Sequence, residues 1–268
     1  MLERLVEPRR LSRRDRGRDR RTARLTRRVY TDDMRRHVGN DPTYGTAKPL
    51  PGLGWLREPI NALTHALGVL LAVVGLIVLI VLADGEPVRL ASAVIYGVSL
   101  ILLFTASTLL HALHVGMRAL QRLRVFDHAA IFVLIAGSYT PITLITLQDS
   151  HPGLAWGLFG VVWGLALLGI VFKIAWIGAP RWISVSLYLL LGWMAMLAIR
   201  PLMASLPPAA VAWLVVGGVA YSVGAVVYGT KWPDPAPKVF GYHELWHLFV
   251  LLGASAHFVM IARYVVHA

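Results

Sequence analysis

The sequence predicts an all-α membrane protein: a seven-transmembrane helix bundle with a cytoplasmic N-terminus, preceded by a disordered basic tail. Three observations predict it. Of 268 residues 57% are hydrophobic, and the mean hydropathy is +0.63. Soluble domains are nearer half apolar. Seven apolar segments, near 60–83, 90–113, 126–147, 154–173, 182–200, 209–229 and 243–266, each have about the 20 residues that cross hydrocarbon as a helix. Charge is also segregated. Residues 1–50 carry 15 of the 26 Lys and Arg and 7 of the 14 Asp and Glu, leaving 11 and 7 for everything after them.

Each element follows from these patterns. Residues 1–55 form the basic tail and residues 56–268 the membrane domain. The tail has no apolar h-region, so it does not read as a secretory signal, and its acids argue against a transit peptide. A membrane anchor follows it directly, so its arginines suit anionic headgroups and not nucleic acid. The breaks between spans are polar or rich in Gly and Pro: DGEPVR, RALQRLR, QDSHPG, IGAPR, RPLMASLPP and TKWPDPAPK. The Gly-rich VVGGVAYSVGAVVYG of the sixth span fits close helix packing. With the tail inside, Arg118, Arg122, Arg124, Lys173, Arg181, Lys231 and Lys238 lie on the inner side. Arg89, Arg200 and Arg263 lie outside. This bias sets the N-terminus in the cytoplasm and the C-terminus outside, as for a multi-pass membrane protein. There are no cysteines, which excludes disulfides, thiolate metal sites and cysteine nucleophiles.

The ionisable residues within the spans carry the functional signal, because such groups are costly in hydrocarbon. Glu58, Asn61 and His65 open the first span on one helix face. Ser107 and His111 close the second, Asp127 and His128 open the third, and His243, Glu244 and His247 open the seventh. The predicted topology brings all four sets to one depth on the inner side. His243 and His247 are i, i+4 and share a face, a spacing that suits one metal ion. Zn2+ takes imidazole nitrogens and, in catalytic sites, leaves a position for water. His111, His243 and His247 make such an open set, with Asp127 and Ser107 placed to hold the water or a substrate oxygen. His65 reads as a supporting residue and His128 as packing beside Asp127. His114, His151 and His267 read as interfacial. In GSYTP, Ser138 shares the face of Asp127 and Pro141 can kink the helix. His257 lies deeper, where it could line a cavity. His-Glu-x-x-His also matches the zinc-protease pattern, with Glu244 as its base.

EPINALTHALG, STLLHAL, FDHAAIFVLIAGSYTPITL and HELWHLFVLLGASAHF stand in the order seen in the hemolysin III branch of the progestin and adipoQ receptor (PAQR) family, which the chain resembles over about residues 58–266. That family includes the adiponectin receptors and is similar to alkaline ceramidases. The resemblance implies zinc on His111, His243 and His247, with Asp127 and Ser107 at the zinc water. It implies membrane lipids as partners, with a lipid substrate or ligand in the bundle cavity. The activities it implies are hydrolysis of a lipid amide or ester, a role in membrane-lipid homeostasis, a receptor-like role with structural zinc, or cytolysis.

Overall fold

A computed structural model describes residues 53–236 and 239–267. The expected disordered tail, all but its last three residues, and Lys238 lie outside them. Seven helices are long and apolar enough to cross a membrane: α1 Pro59–Leu82, α2 Pro87–Ala112, α3 Met117–Thr146, α4 Pro152–Ala175, α5 Arg181–Ser205, α6 Pro208–Thr230 and α7 Tyr242–Val266. Among the described residues the only β pairing is an isolated bridge between Ala236 and Phe240.

Helix starts follow local chemistry. Proline occupies the first turn of α1, α2, α4 and α6, where its missing N–H would have no helical partner anyway. Glu86 caps α2 by accepting from the N–H groups of Val88 and Arg89, at 3.1 and 2.6 Å. Asp84 and Gly85, at φ 48° and 73°, make the tight turn before it. Glycine bears this conformation without strain, and aspartate tolerates it better than most residues.

One boundary differs from expectation. RALQRLR is not a loop: α3 begins at Met117, about 15 Å before Asp127 at 1.5 Å per residue, and Arg118, Arg122 and Arg124 lie on that extension. Its alternating leucines and arginines hold good helix formers, and Leu120 is buried. Asp127 therefore lies well inside α3 and not just past the connection, which is the short segment 113–116. Likewise α5 continues through RPLMAS to Ser205, with a 3₁₀ stretch at Trp193–Ala198.

Packing runs sequentially, with α1 on α2, α2 on α3, α3 on α4, and α6 on α7, while α7 returns to α1. α2 and α3 are the most buried spans. α1 and α4 turn Leu67, Leu70, Leu71, Val81, Leu168 and Val171 outward, as lipid-facing helices do. Exposed Trp55, Trp176, Trp182 and Trp232 flank the spans at one end of the bundle, in keeping with an interfacial aromatic belt. Glycines permit the closest approaches. Gly224 of α6 lies against Phe249 and Trp246, and Gly253 of α7 against the Tyr221 ring. The packing expected of the Gly-rich sixth span is therefore present.

Gly137 and Gly157 make opposite predictions. A Cβ on Gly137 would lie 2.7 Å from the Cβ of Ser99, while one on Gly157 meets nothing within 4 Å. Gly137→Ala should destabilise the detergent-solubilised protein by about 1–3 kcal/mol through overpacking. Gly157→Ala should be neutral or stabilising by about 0.5–1 kcal/mol. Thermal melts of both variants check the pair.

Candidate metal centre

His111 sits at the last turn of α2, where helical carbonyls lose their partners. The segment entering α1 supplies them. Glu58 N–H donates to the His111 carbonyl at 2.9 Å, Arg57 N–H to that of Ala112 at 3.2 Å, and the Arg57 guanidinium to that of Leu110. Glu58 then turns its side chain onto the same residue, with Oε2 against His111 Nδ1 and Oε1 3.3 Å from Arg57. Burial pushes the Glu58 carboxyl up, but His111, Arg57 and His243 outweigh it and hold its pKa at about 2. A carboxylate only accepts, so His111 Nδ1 carries the proton and Nε2 presents a lone pair.

α7 delivers the other two imidazoles. His243 Nε2 stands 3.4 Å from His111 Nε2. His247 Nδ1 is 3.4 Å from Thr64 Oγ1, whose hydroxyl is 2.9 and 3.0 Å from the carbonyls of Ile60 and Asn61. The threonine proton goes to a carbonyl, so the His247 Nδ1–H faces a hydroxyl lone pair and Nε2 is again unprotonated. One ligand atom from each of His111, His243 and His247 lies within 4.8 Å of the others. Three imidazoles held this close, with Nε2 of His111 and of His247 unprotonated, form a donor set that fits a metal cation.

Asp127 reaches the same chamber, with Ser107 and His111 close enough to act on it electrostatically. His65 does not join the three ligands. Its ring stacks on His247 at 3.6 Å and edges onto Phe104, and neither ring nitrogen has hydrogen-bond geometry with a partner. His128 lines the cavity and is not only packing beside Asp127. Glu244 is turned elsewhere: Oε2 accepts from Gly241 N–H at 2.8 Å, capping α7, and Oε1 accepts from Asn61 Nδ2 at 2.9 Å. Sequence reasoning left Glu58 without a role and missed Thr64. Their spacing of three and six residues from Asn61 and Glu58, on the helix face they share, was the available signal.

The three histidines, Ser107 and Asp127 form one end of a cavity of about 1570 Å3 of atom-free space, part of it open to the exterior. Leu103, Ile131, Leu134, Met196 and Val250 are among the residues that line it. α1, α2, α3, α5, α6 and α7 all contribute, while α4 stands outside. Ser138 and His257 both reach this space. Beyond Pro141 the helix widens into a π turn at Ile142–Thr146, the accommodation expected where proline interrupts the ladder.

A polytopic helical bundle with a candidate metal centre at one end of an internal cavity is the class of protein so defined. Its family is also established: residues 53–258 match the model described as Haemolysin-III related, and the chain belongs to that family. It is 41% identical over 212 residues to the hemolysin-3 homolog of Bacillus subtilis (strain 168), covering 78% of this chain and 95% of that protein. It is 38% identical over 211 residues to hemolysin-3 of Bacillus cereus. More distantly, it is 27% identical over 227 residues to the human monocyte to macrophage differentiation factor. The resemblance read from the motifs agrees with these matches.

Glu58→Ala removes one partner of a buried charged contact, a change that typically costs about 3–5 kcal/mol. Glu58→Gln keeps the shape and should cost less. Melting of the two variants in detergent, ranked against the wild type, checks this order.

Proposed function

We propose that the protein is an integral membrane zinc hydrolase that cleaves an amide or ester bond in a membrane lipid. The observation that carries this reading is the opening of a three-imidazole donor set and a Ser107–Asp127 pair into one largely apolar cavity. His111, His243 and His247 would hold the metal. Two nitrogens bound at 2.0–2.1 Å in tetrahedral array stand roughly 3.3–3.4 Å apart, and the separation of His111 and His243 Nε2 is 3.4 Å. Zinc there would polarise the scissile carbonyl and acidify water.

The chain's own residues supply the remainder. The apolar walls hold the lipid chains and keep bulk water from the reacting bond. Asp127 accepts the proton of the attacking water and returns it to the departing amine or alcohol. Ser107 stands beside Asp127 and orients its carboxylate. Glu58 keeps His111 in the tautomer that offers Nε2, as carboxylate partners of metal-binding histidines do. The capping and inter-helix bonds of Glu244 support a structural role over that of a protease-type base. We place the protein in the bacterial plasma membrane with its N-terminus in the cytoplasm, on the seven-to-three bias of basic residues between the two sides.

Purified protein should carry about one zinc per chain, and His111→Ala, His243→Ala or His247→Ala should each lower it sharply by elemental analysis. Asp127→Ala should keep most of it. Full occupancy in the double variant His243→Ala/His247→Ala overturns the site. Mass spectrometry of lipids incubated with the zinc-loaded protein should show head or acyl products that Asp127→Asn no longer makes and Glu244→Gln still makes. A zinc-replete wild type that cleaves no lipid amide or ester, across a total extract, would exclude the hydrolase.

A reporter fused after Ala268 should be active only outside the cytoplasm. Cytoplasmic activity there rejects the orientation.

A further inference from the structure

The cavity does not stay apolar along its length. About 15 Å along α7 from His247, at 1.5 Å per residue, His257 enters it. Its Nε2 is 3.2 Å from the Leu214 carbonyl. A carbonyl only accepts, so Nε2 carries the proton and Nδ1 is left with a lone pair. The ring is pressed so closely on Gly217 that any Cβ there would overlap it, which holds the imidazole in one orientation. Tyr221 of α6 packs edge-on against it, with ring centroids 5.5 Å apart, and also lines the cavity. The Tyr221 hydroxyl has no hydrogen-bond partner among the described residues. An unmatched hydroxyl in hydrocarbon costs several kcal/mol, and polar side chains from two spans meet here.

We propose that His257 and Tyr221 form a second, deep polar subsite that takes a hydroxyl group carried on the chain of the bound lipid. The inference rests on the lipid-binding reading of the cavity. The donor and acceptor set selects the group. Tyrosine O–H groups donate to an oxygen, and the His257 Nδ1 lone pair accepts a proton. An alcohol does both at once. A carbonyl or ether oxygen would leave the imidazole unsatisfied, and a bare methylene would leave both groups unsatisfied. The subsite therefore sets which position along a chain carries oxygen, with the headgroup fixed at the histidine end.

The test is competition binding on the full-length protein in micelles, with radiolabelled stearate as the probe and positional isomers of hydroxystearate as competitors. At least one isomer should compete about five- to tenfold better than stearate, the worth of one well-made hydrogen bond. Tyr221→Phe removes only a hydroxyl and should bring that ratio towards one while stearate affinity changes less than about twofold. No preferred isomer in the wild type overturns the subsite and indicates an internal water there instead. So does a preference that survives both Tyr221→Phe and His257→Leu. If stearate itself fails to bind, the lipid-binding reading falls and the subsite with it.

Discussion

The clasp between Glu58 and the end of α2 is the contact on which the site depends. Hydrocarbon offers no water to a helix terminus, so the last carbonyls of α2 must be met from within the protein. Arg57 and Glu58 meet those of Leu110, His111 and Ala112. The same carboxylate takes the Nδ1 proton of His111. One short segment thus ends a helix, ties α1 to α2, and sets the tautomer that turns Nε2 towards α7.

α1 extends that role along one face. Glu58 addresses His111, Asn61 holds Glu244, Thr64 meets His247, and His65 stacks on the same ring. Although it donates no member of the three-histidine set, α1 determines where His111 and His247 stand and how the helix bearing His243 and His247 begins. Each neutral contact is worth about 1 kcal/mol, yet together they fix rotation of α7 about its axis, which one bond could not do. Burial of polar groups is costly where they are unmatched. Here they are matched chiefly to one another, which makes the arrangement specific.

The rest of the bundle turns this cluster towards a ligand. Glycines bring α6 against α7, the break at Pro141 widens α3, and a 3₁₀ stretch loosens α5. The breaks in α3 and α5 both lie beside the cavity. The outer helix α4 takes no part in the lining and instead covers α3 with an apolar face. The cavity consequently has a polar end at the three histidines, apolar walls, and the polar group of His257 at depth.

The sequence by itself determined the number of spans, the common depth of the ionisable residues and the i, i+4 pair on α7. Hydropathy over 20-residue windows and helical periodicity encode these locally. It also held the family motifs in their order. Only the tertiary structure decided that His243 Nε2 comes to 3.4 Å from a residue 132 positions away, that Glu244 faces Asn61 and not the cluster, and that Tyr221 and His257 meet. The helical start of α3 was misread because RALQRLR is polar enough to leave the membrane while its residues still favour helix. Contacts between spans depend on how each helix is rotated about its own axis and how closely its neighbour approaches. Those quantities are set by interlocking side chains from several spans together, and no single stretch of sequence contains them.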